Sequence, residues 1–287
     1  MDILPQVLVN GLIAGSLYAL VALGFNLAYG ATKFFNLAHG ALSVVGGYTA
    51  LAVLRDLGWG LGWAIVIGIL MSAGIGWLLD KFIYLPLRKR KASNMVLLVA
   101  SLGAFTAIQA IIAILFTSQF QTLLAGESKI IDLFGYAVVT GVQLSAFVTV
   151  AVVGLGLYLI LKFTRFGKAV RAVSDDGEVA RIVGIQTDKI VGTVFLIASG
   201  LAGLAGILIG FDTGLEPTMG MSLLLKGVIA SIVGGIGNVY CGIAGAFLLG
   251  IIENLGVWQF SGEWKDAIAF GLLIIFLLFR PKGIFKN

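Results

Sequence analysis

Apolar residues fill nine segments, roughly 5–29, 34–54, 62–80, 94–117, 141–161, 190–211, 221–237, 242–258 and 266–280, and charged residues gather in the gaps between them. A bilayer core some 30 Å thick asks for about twenty apolar residues per helical span, and these segments reach or approach that length. The pattern predicts an all-α fold: one polytopic transmembrane helical bundle over residues 1–287, with eight or nine spans. Segments 221–237 and 242–258 are short and glycine-rich, so one of them is a candidate broken or re-entrant helix. The 40 glycines recur in patches such as GLIAG, SGLAGLAG and GGIGN. In lipid, helices associate through close backbone approach at small residues, so these patches are read as packing sites, with a hinge lining a pathway as the second reading.

Composition agrees: 59% of the residues are hydrophobic and 11% charged, against about 25% charged in an ordinary soluble domain. The net charge of +5 sits in clusters. Five Lys/Arg fall in 81–91, six in 162–189, and Arg280, Lys282 and Lys286 close the chain. Clusters of this kind between apolar spans follow the positive-inside rule. Placing them in the cytoplasm puts the N-terminus outside and the C-terminus inside, in a cell inner membrane with lipid as the surrounding partner. No basic stripe interleaved with aromatics points to nucleic acid. MDILPQ lacks a basic n-region and the apolar run after it is long, so the first span is expected to stay in the mature protein. Trp59, Trp63, Trp258 and Trp264 lie where an aromatic belt would form at the outer face.

Catalytic signatures are missing. Cys241 is the single cysteine, and the one Gly-Lys that resembles a phosphate loop, Gly167-Lys168, is followed by Ala169. No nucleophile arrangement stands in an accessible loop. The chain is expected to perform no covalent chemistry and to hold no cofactor; any ATP hydrolysis belongs to another chain. Three places carry candidate chemistry. The first is FFNLAHGALSVVGGY, residues 34–48, which holds the only histidine, His39, beside Asn36 and Gly40. His39 there is either a structural group bonded to backbone or, with Asn36, part of an inner gate; no second His or usable Cys supports a metal.

The second place is the pair Lys226 and Glu253, each about five residues from the outer end of adjacent antiparallel segments. Intramembrane ionisable groups need partners, so the two are expected to pair, either fixing two helices or lining a pathway. Asp212 and Glu216 flank an outer end as loop acids or as contacts for an external protein. The third place is the loop KFTRFGKAVRAVSDDGEVARIVGIQTDK, residues 162–189. Ser174 or Asp175 can cap a short helix there, Glu178 stands in capping-box spacing, and Gly184 can end it. Val179, Ala180, Ile182 and Val183 give that helix an apolar face, and two or three turns are marginal without something to pack on. A docking partner and the chain's own helix ends are the two candidates.

In order along the chain, FFNLAHGALSVVGGY, FGKAVRAVSDDGEVARIVGIQTDKI with SGLAGLAGILIG, MGMSLLLKGVIASIVGGIGN and KDAIAFGLLIIFLLFRPKGIF resemble the permease subunits of branched-chain amino-acid ABC importers, specifically the H-type partner of an H/M pair. The likeness runs over nearly the whole chain and fades between 117 and 142. It implies an importer built with a second, M-type permease, two cytoplasmic ATPase subunits that bind ATP and magnesium, and an extracytoplasmic solute-binding protein. Asn36, His39 and Gly40 match the family's N-x-A-H-G pattern, with Leu37 where Phe is common. The loop then resembles the coupling helix seated on the ATPase, with Arg171, Asp175, Asp176, Glu178, Ala180, Arg181 and Gly184 as its candidate residues. Related permeases serve urea, short amides or other small solutes, which is the alternative substrate class; a stand-alone secondary transporter is the alternative mechanism.

Overall fold

A computed structural model describes residues 3–123, 130–133, 137–280 and 283–284; Lys282 and Lys286 of the closing basic cluster lie outside the described residues. The chain order begins α1 (Ile3–Thr32), α2 (Ala38–Arg55) and α3 (Leu61–Leu79), then a π turn (Asp80–Tyr84) that runs on into α4 (Leu85–Lys89). After α5 (Asn94–Phe116) come the strands β1 (Ile130–Leu133) and β2 (Ala137–Thr140), then α6 (Gly141–Phe163), α7 (Arg165–Asp175) and α8 (Gly177–Ile182). The chain closes with α9 (Thr187–Asp212), α10 (Met219–Gly234), α11 (Val239–Gln259), a 3-10 turn and α12 (Lys265–Phe279).

Each of the nine apolar segments is a helix. Among the described residues six helices are long and apolar enough to cross a membrane: α1, α3 with α4, α5, α6, α9 and α11. The other three fall short for visible reasons. α2 has 18 residues and carries His39 and Arg55, while α10 and α12 have 16 and 15 residues. At 1.5 Å per residue α10 reaches about 24 Å, less than a bilayer core. Neither α10 nor α11 is broken internally; GGIGN starts at the last residue of α10, and its Gly235 and Gly237 take φ of +132° and +83° in a tight turn between the two helices. This turn makes the two helices an antiparallel hairpin.

The bundle has a dense centre and a looser rim. In α9, 83% of the apolar stretch is buried, against 28% in α5 and in α6. Backbones meet at the centre. A Cβ on Gly11 of α1 would lie 2.8 Å from the Cα of Ile251 in α11, and one on Gly46 of α2 would lie 2.5 Å from the Cα of Gly203 in α9. The α2–α3 contact adds a hydrogen bond from Ser72 to the Leu42 carbonyl at 2.9 Å.

Loops collect at two ends. At one, Asn94 donates to the Lys33 carbonyl (3.3 Å) and the Gly237 N–H donates to the Asn26 side chain (2.9 Å). The basic residues of 81–91 and 162–189 belong to this basic end, where Arg88 pairs with buried Asp80 at 2.7 Å. At the opposite end stand Trp59, Trp63, Trp258 and Trp264, all exposed. There too lies the antiparallel hairpin β1–β2, with Ile130 facing Thr140, which the apolar pattern does not predict. Gln6 ties it to α1 by donating to the Val138 carbonyl at 3.0 Å.

Candidate functional site

The turn between α1 and α2 is interior. Phe34 packs tilted against Tyr84 and stacks with Phe195 at ring distances of 5.2 and 6.3 Å, so the first aromatic of FFNLAHG anchors the turn. Asn36 is buried and its Oδ1 accepts from the Ala38 N–H at 3.1 Å and the Tyr84 hydroxyl at 3.0 Å. One acceptor thus closes the start of α2 and holds the π turn. The His39 Nε2 lies 3.3 Å from the Val21 carbonyl of α1. Its ring fits because Gly24 has no side chain: a Cβ there would come within 2.7 Å of the His39 Cε1. Gly40 passes close to the Gly220 backbone of α10. These are the contacts a structural role requires, and neither Asn36 nor His39 lines the two polar cavities described below.

Lys226 and Glu253 do come together, at 3.7 Å, but as part of a larger cluster. The Tyr18 hydroxyl donates to Glu253 Oε2 at 2.8 Å and accepts from Lys226 Nζ at 3.3 Å. Asp266 lies 3.3 Å from Lys226, and Lys265 lies 4.0 Å from Glu253. Glu253 is wholly buried, and its Oε1 accepts no hydrogen bond among the described residues. Reading the sequence by span depth finds the first pair and misses Tyr18, Lys265 and Asp266. The signal for the last two is their place at the start of the final apolar segment, at the same end as Lys226. Beside the cluster a cavity of about 360 Å³ is bordered by Tyr18, Lys226, Lys265, Asp212, Gln143 and Asn254. Glu216 is exposed and stands apart from it.

At the basic end the 162–189 segment is two helices, not one. Ser174 and Asp175 are taken up by the last turn of α7, so the cap expected of them falls to Asp176. Its Oδ1 accepts from the Glu178 and Val179 N–H groups at 2.8 and 3.0 Å. Gly184 ends α8 as expected: φ is +89°, and the N–H groups of Gly184 and Ile185 reach the carbonyls of Arg181 and Ala180 at 3.1 and 3.0 Å, a Schellman pattern. The expected apolar face divides. Ala180 is buried against the protein, whereas Val179, Ile182 and Val183 are exposed, Ile182 at 83%.

Helix α7 is the element that reading the segment as a loop overlooks. Its Gly167, Val170 and Val173 are buried, and Arg171 donates to the Leu161 carbonyl at the end of α6. Arg181 reaches across to Thr187 Oγ1 at 3.1 Å and Asp188 at 3.7 Å, tying α8 to the start of α9. Arg171, Ser174 and Asp175 of α7 also border a cavity of about 500 Å³, shared with Asn26 and the Gly237–Asn238 turn. α7 packs on α1, α6, α8 and α9, so a shift of α7 would be felt at those helices.

Residues 7–277 match the family described as "Branched-chain amino acid transport system / permease component". The "High-affinity branched-chain amino acid transport system permease protein BraD" of Pseudomonas aeruginosa is 33% identical over 97% of this chain and 94% of its own length. The corresponding protein LivH of Escherichia coli is 30% identical with the same coverage. LivM of Escherichia coli is more distant, 24% identical over 93% of this chain and 67% of its own. Among solved structures, "PsaBC from Streptococcus pneumoniae in complex with Fab" superposes with a TM-score of 0.54 and 16% identity, over 95% of this chain and 91% of the other.

Proposed function

The chain belongs to the permease family of branched-chain amino-acid transport systems, and from that premise we propose that it is the H-type membrane subunit of an ATP-driven importer for branched-chain or related amino acids. Its partners are an M-type permease, two cytoplasmic ATPase subunits that bind ATP and magnesium, and an extracytoplasmic binding protein that delivers the substrate. In the cell inner membrane, the basic end faces the cytoplasm and the tryptophan-bearing end faces out.

One observation carries this reading: α8 is capped at both ends, anchored through Ala180 and Arg181, and leaves Val179, Ile182 and Val183 uncovered. A helix of six residues cannot persist on propensity alone. Its inner side is fixed to the bundle, while its outer side offers an apolar contact to a partner at the ATPase side. Closure of the ATPases would press on α8, and α7 would pass the movement through Arg171 to α6. Transport then follows as alternation between outward and inward states, each favoured by its own contacts.

Purification from native membranes in mild detergent tests the proposal. Co-isolation of an ATPase and a second permease, with ATP-dependent leucine uptake after reconstitution with the binding protein, is the expected result. A lone chain that transports without ATP would overturn it, and uptake of urea or short amides instead of amino acids would overturn the substrate.

A further inference from the structure

We propose that the cavity beside the Lys226–Glu253 cluster is a subsite for the charged headgroup of a free α-amino acid, with Lys226 and Lys265 facing its carboxylate and Asp212 its ammonium. Such a site has meaning only if the complex carries amino acids, as proposed above, and it supplies the recognition which that reading leaves without residues.

A pair of charges that merely fixed two helices would stop at Lys226 and Glu253. Here a second cation, Lys265, borders the same cavity, and its nearest acid, Glu253, is 4.0 Å away. An ammonium has three donors, and beyond the 4.0 Å approach to Glu253 the Lys265 ammonium makes no hydrogen bond among the described residues. Lys226 is held in place by Tyr18, Glu253 and Asp266. Glu253 stands behind Tyr18 and Lys226 rather than at the cavity, so it is a positioning residue: it keeps two cations at one place inside an apolar bundle. Asp212, at the end of α9, borders the cavity with Gln143, whose amide reaches the Asp212 carboxylate. The Gln143 oxygen accepts from the Thr140 N–H at 3.1 Å, which fixes which end of the amide faces Asp212.

Two cations and one anion around one cavity suit a ligand with charges of both signs and argue against a simple anion, which Asp212 would repel. The remaining lining includes Ile13, Leu17, Ile209 and Leu223, apolar surface on which an aliphatic side chain can lie. The volume, about 360 Å³, falls in the range of small-molecule sites. The cavity lies at the end opposite the basic loops, where the proposed orientation brings substrate in.

The test uses the co-isolated permease–ATPase complex without its binding protein and measures direct binding of radiolabelled L-leucine. Leucinamide, which lacks the carboxylate, and 4-methylpentanoate, which lacks the ammonium, serve as competitors. Both are expected to bind at least about tenfold more weakly than leucine, the scale of one lost charge-assisted hydrogen bond. Lys265→Gln should weaken leucine about tenfold and leave leucinamide unchanged, Lys265→Arg should restore leucine, and Asp212→Asn should weaken leucine but not 4-methylpentanoate. If a neutral variant does not assemble, the wild-type series decides: an analogue that binds as tightly as leucine overturns the subsite. Proteoliposomes that take up no amino acid even with binding protein sink the transport reading itself. Leucine uptake by the wild type, with either no direct leucine binding or wild-type binding in both neutral variants, sinks the subsite alone.

Discussion

At the scale of single residues, the interior depends on what is missing as much as on what is present. Gly46 and Gly203 bring two backbones into contact, and any side chain at Gly46 meets main-chain atoms that cannot move aside. Gly46→Leu should abolish recovery of folded protein in size-exclusion profiles, whereas Gly103→Ala, on the exposed side of α5 with nothing within 4 Å, should leave the profile unchanged. The buried charges give a second expectation. Glu253→Gln removes the acid that Tyr18, Lys226 and Lys265 share, and losing one partner of a buried pair costs about 3 kcal/mol. Thermal unfolding of the purified complex should show a clear loss for Glu253→Gln and a smaller loss for the double variant with Lys226→Met than the two single losses added. His39→Gln keeps a donor for the Val21 carbonyl and should assemble, while His39→Leu should cost about 1 kcal/mol. The pairing of Lys226 with Glu253 was legible because depth along a span can be counted. The part played by Tyr18 was not, since nothing in the order of residues says that α1 passes α10 and α11 at that height.

Helix α8 shows how far local rules reach at the scale of elements. A cap residue and a glycine were enough to place a short helix and its end, whereas the capping-box spacing of Glu178 is not realised, since Glu178 stands two residues after the Asp176 cap. The position of its start slipped by one residue because α7 continues through Asp175 and leaves the capping to Asp176. α7 itself was hidden by its charges: Arg165, Lys168 and Arg171 read as loop, while the buried side, Gly167, Val170 and Val173, is narrow. Asp176→Ala should destabilise α8 by about 1 kcal/mol, seen as faster proteolysis after Arg181. Ile182→Asp adds a charge to the exposed apolar face. It should leave the two permeases associated and abolish co-isolation of the ATPase, and retention of the ATPase would show that this face is not its seat.

Across the whole molecule, the nine apolar helices were legible as runs of apolar residues, although among the described residues only six are long and apolar enough to cross a membrane. Their neighbours were not legible, since in lipid every apolar face resembles every other and the choice falls to the places where small residues meet. The β1–β2 hairpin escaped for a different reason: a pair of four-residue strands leaves no periodic signal long enough to read. The loosely buried α5 and α6 keep apolar faces that this chain does not cover.

The extensive seam of α1 against α11 also joins the beginning of the chain to its last quarter: Gly11 meets Ile251. At roughly 5–20 residues per second of synthesis, α1 waits roughly 10–50 s after emerging before α11 exists to receive it. During that time the small-residue groove of α1 lies open in the membrane, available to any other helix that fits it. Chains halted on the ribosome before Val239 should therefore be captured by membrane insertion factors and be cut readily by added protease, and release of the full chain should end both. Biogenesis of this subunit is thus a problem of guarding its first helix until almost the whole protein has been made.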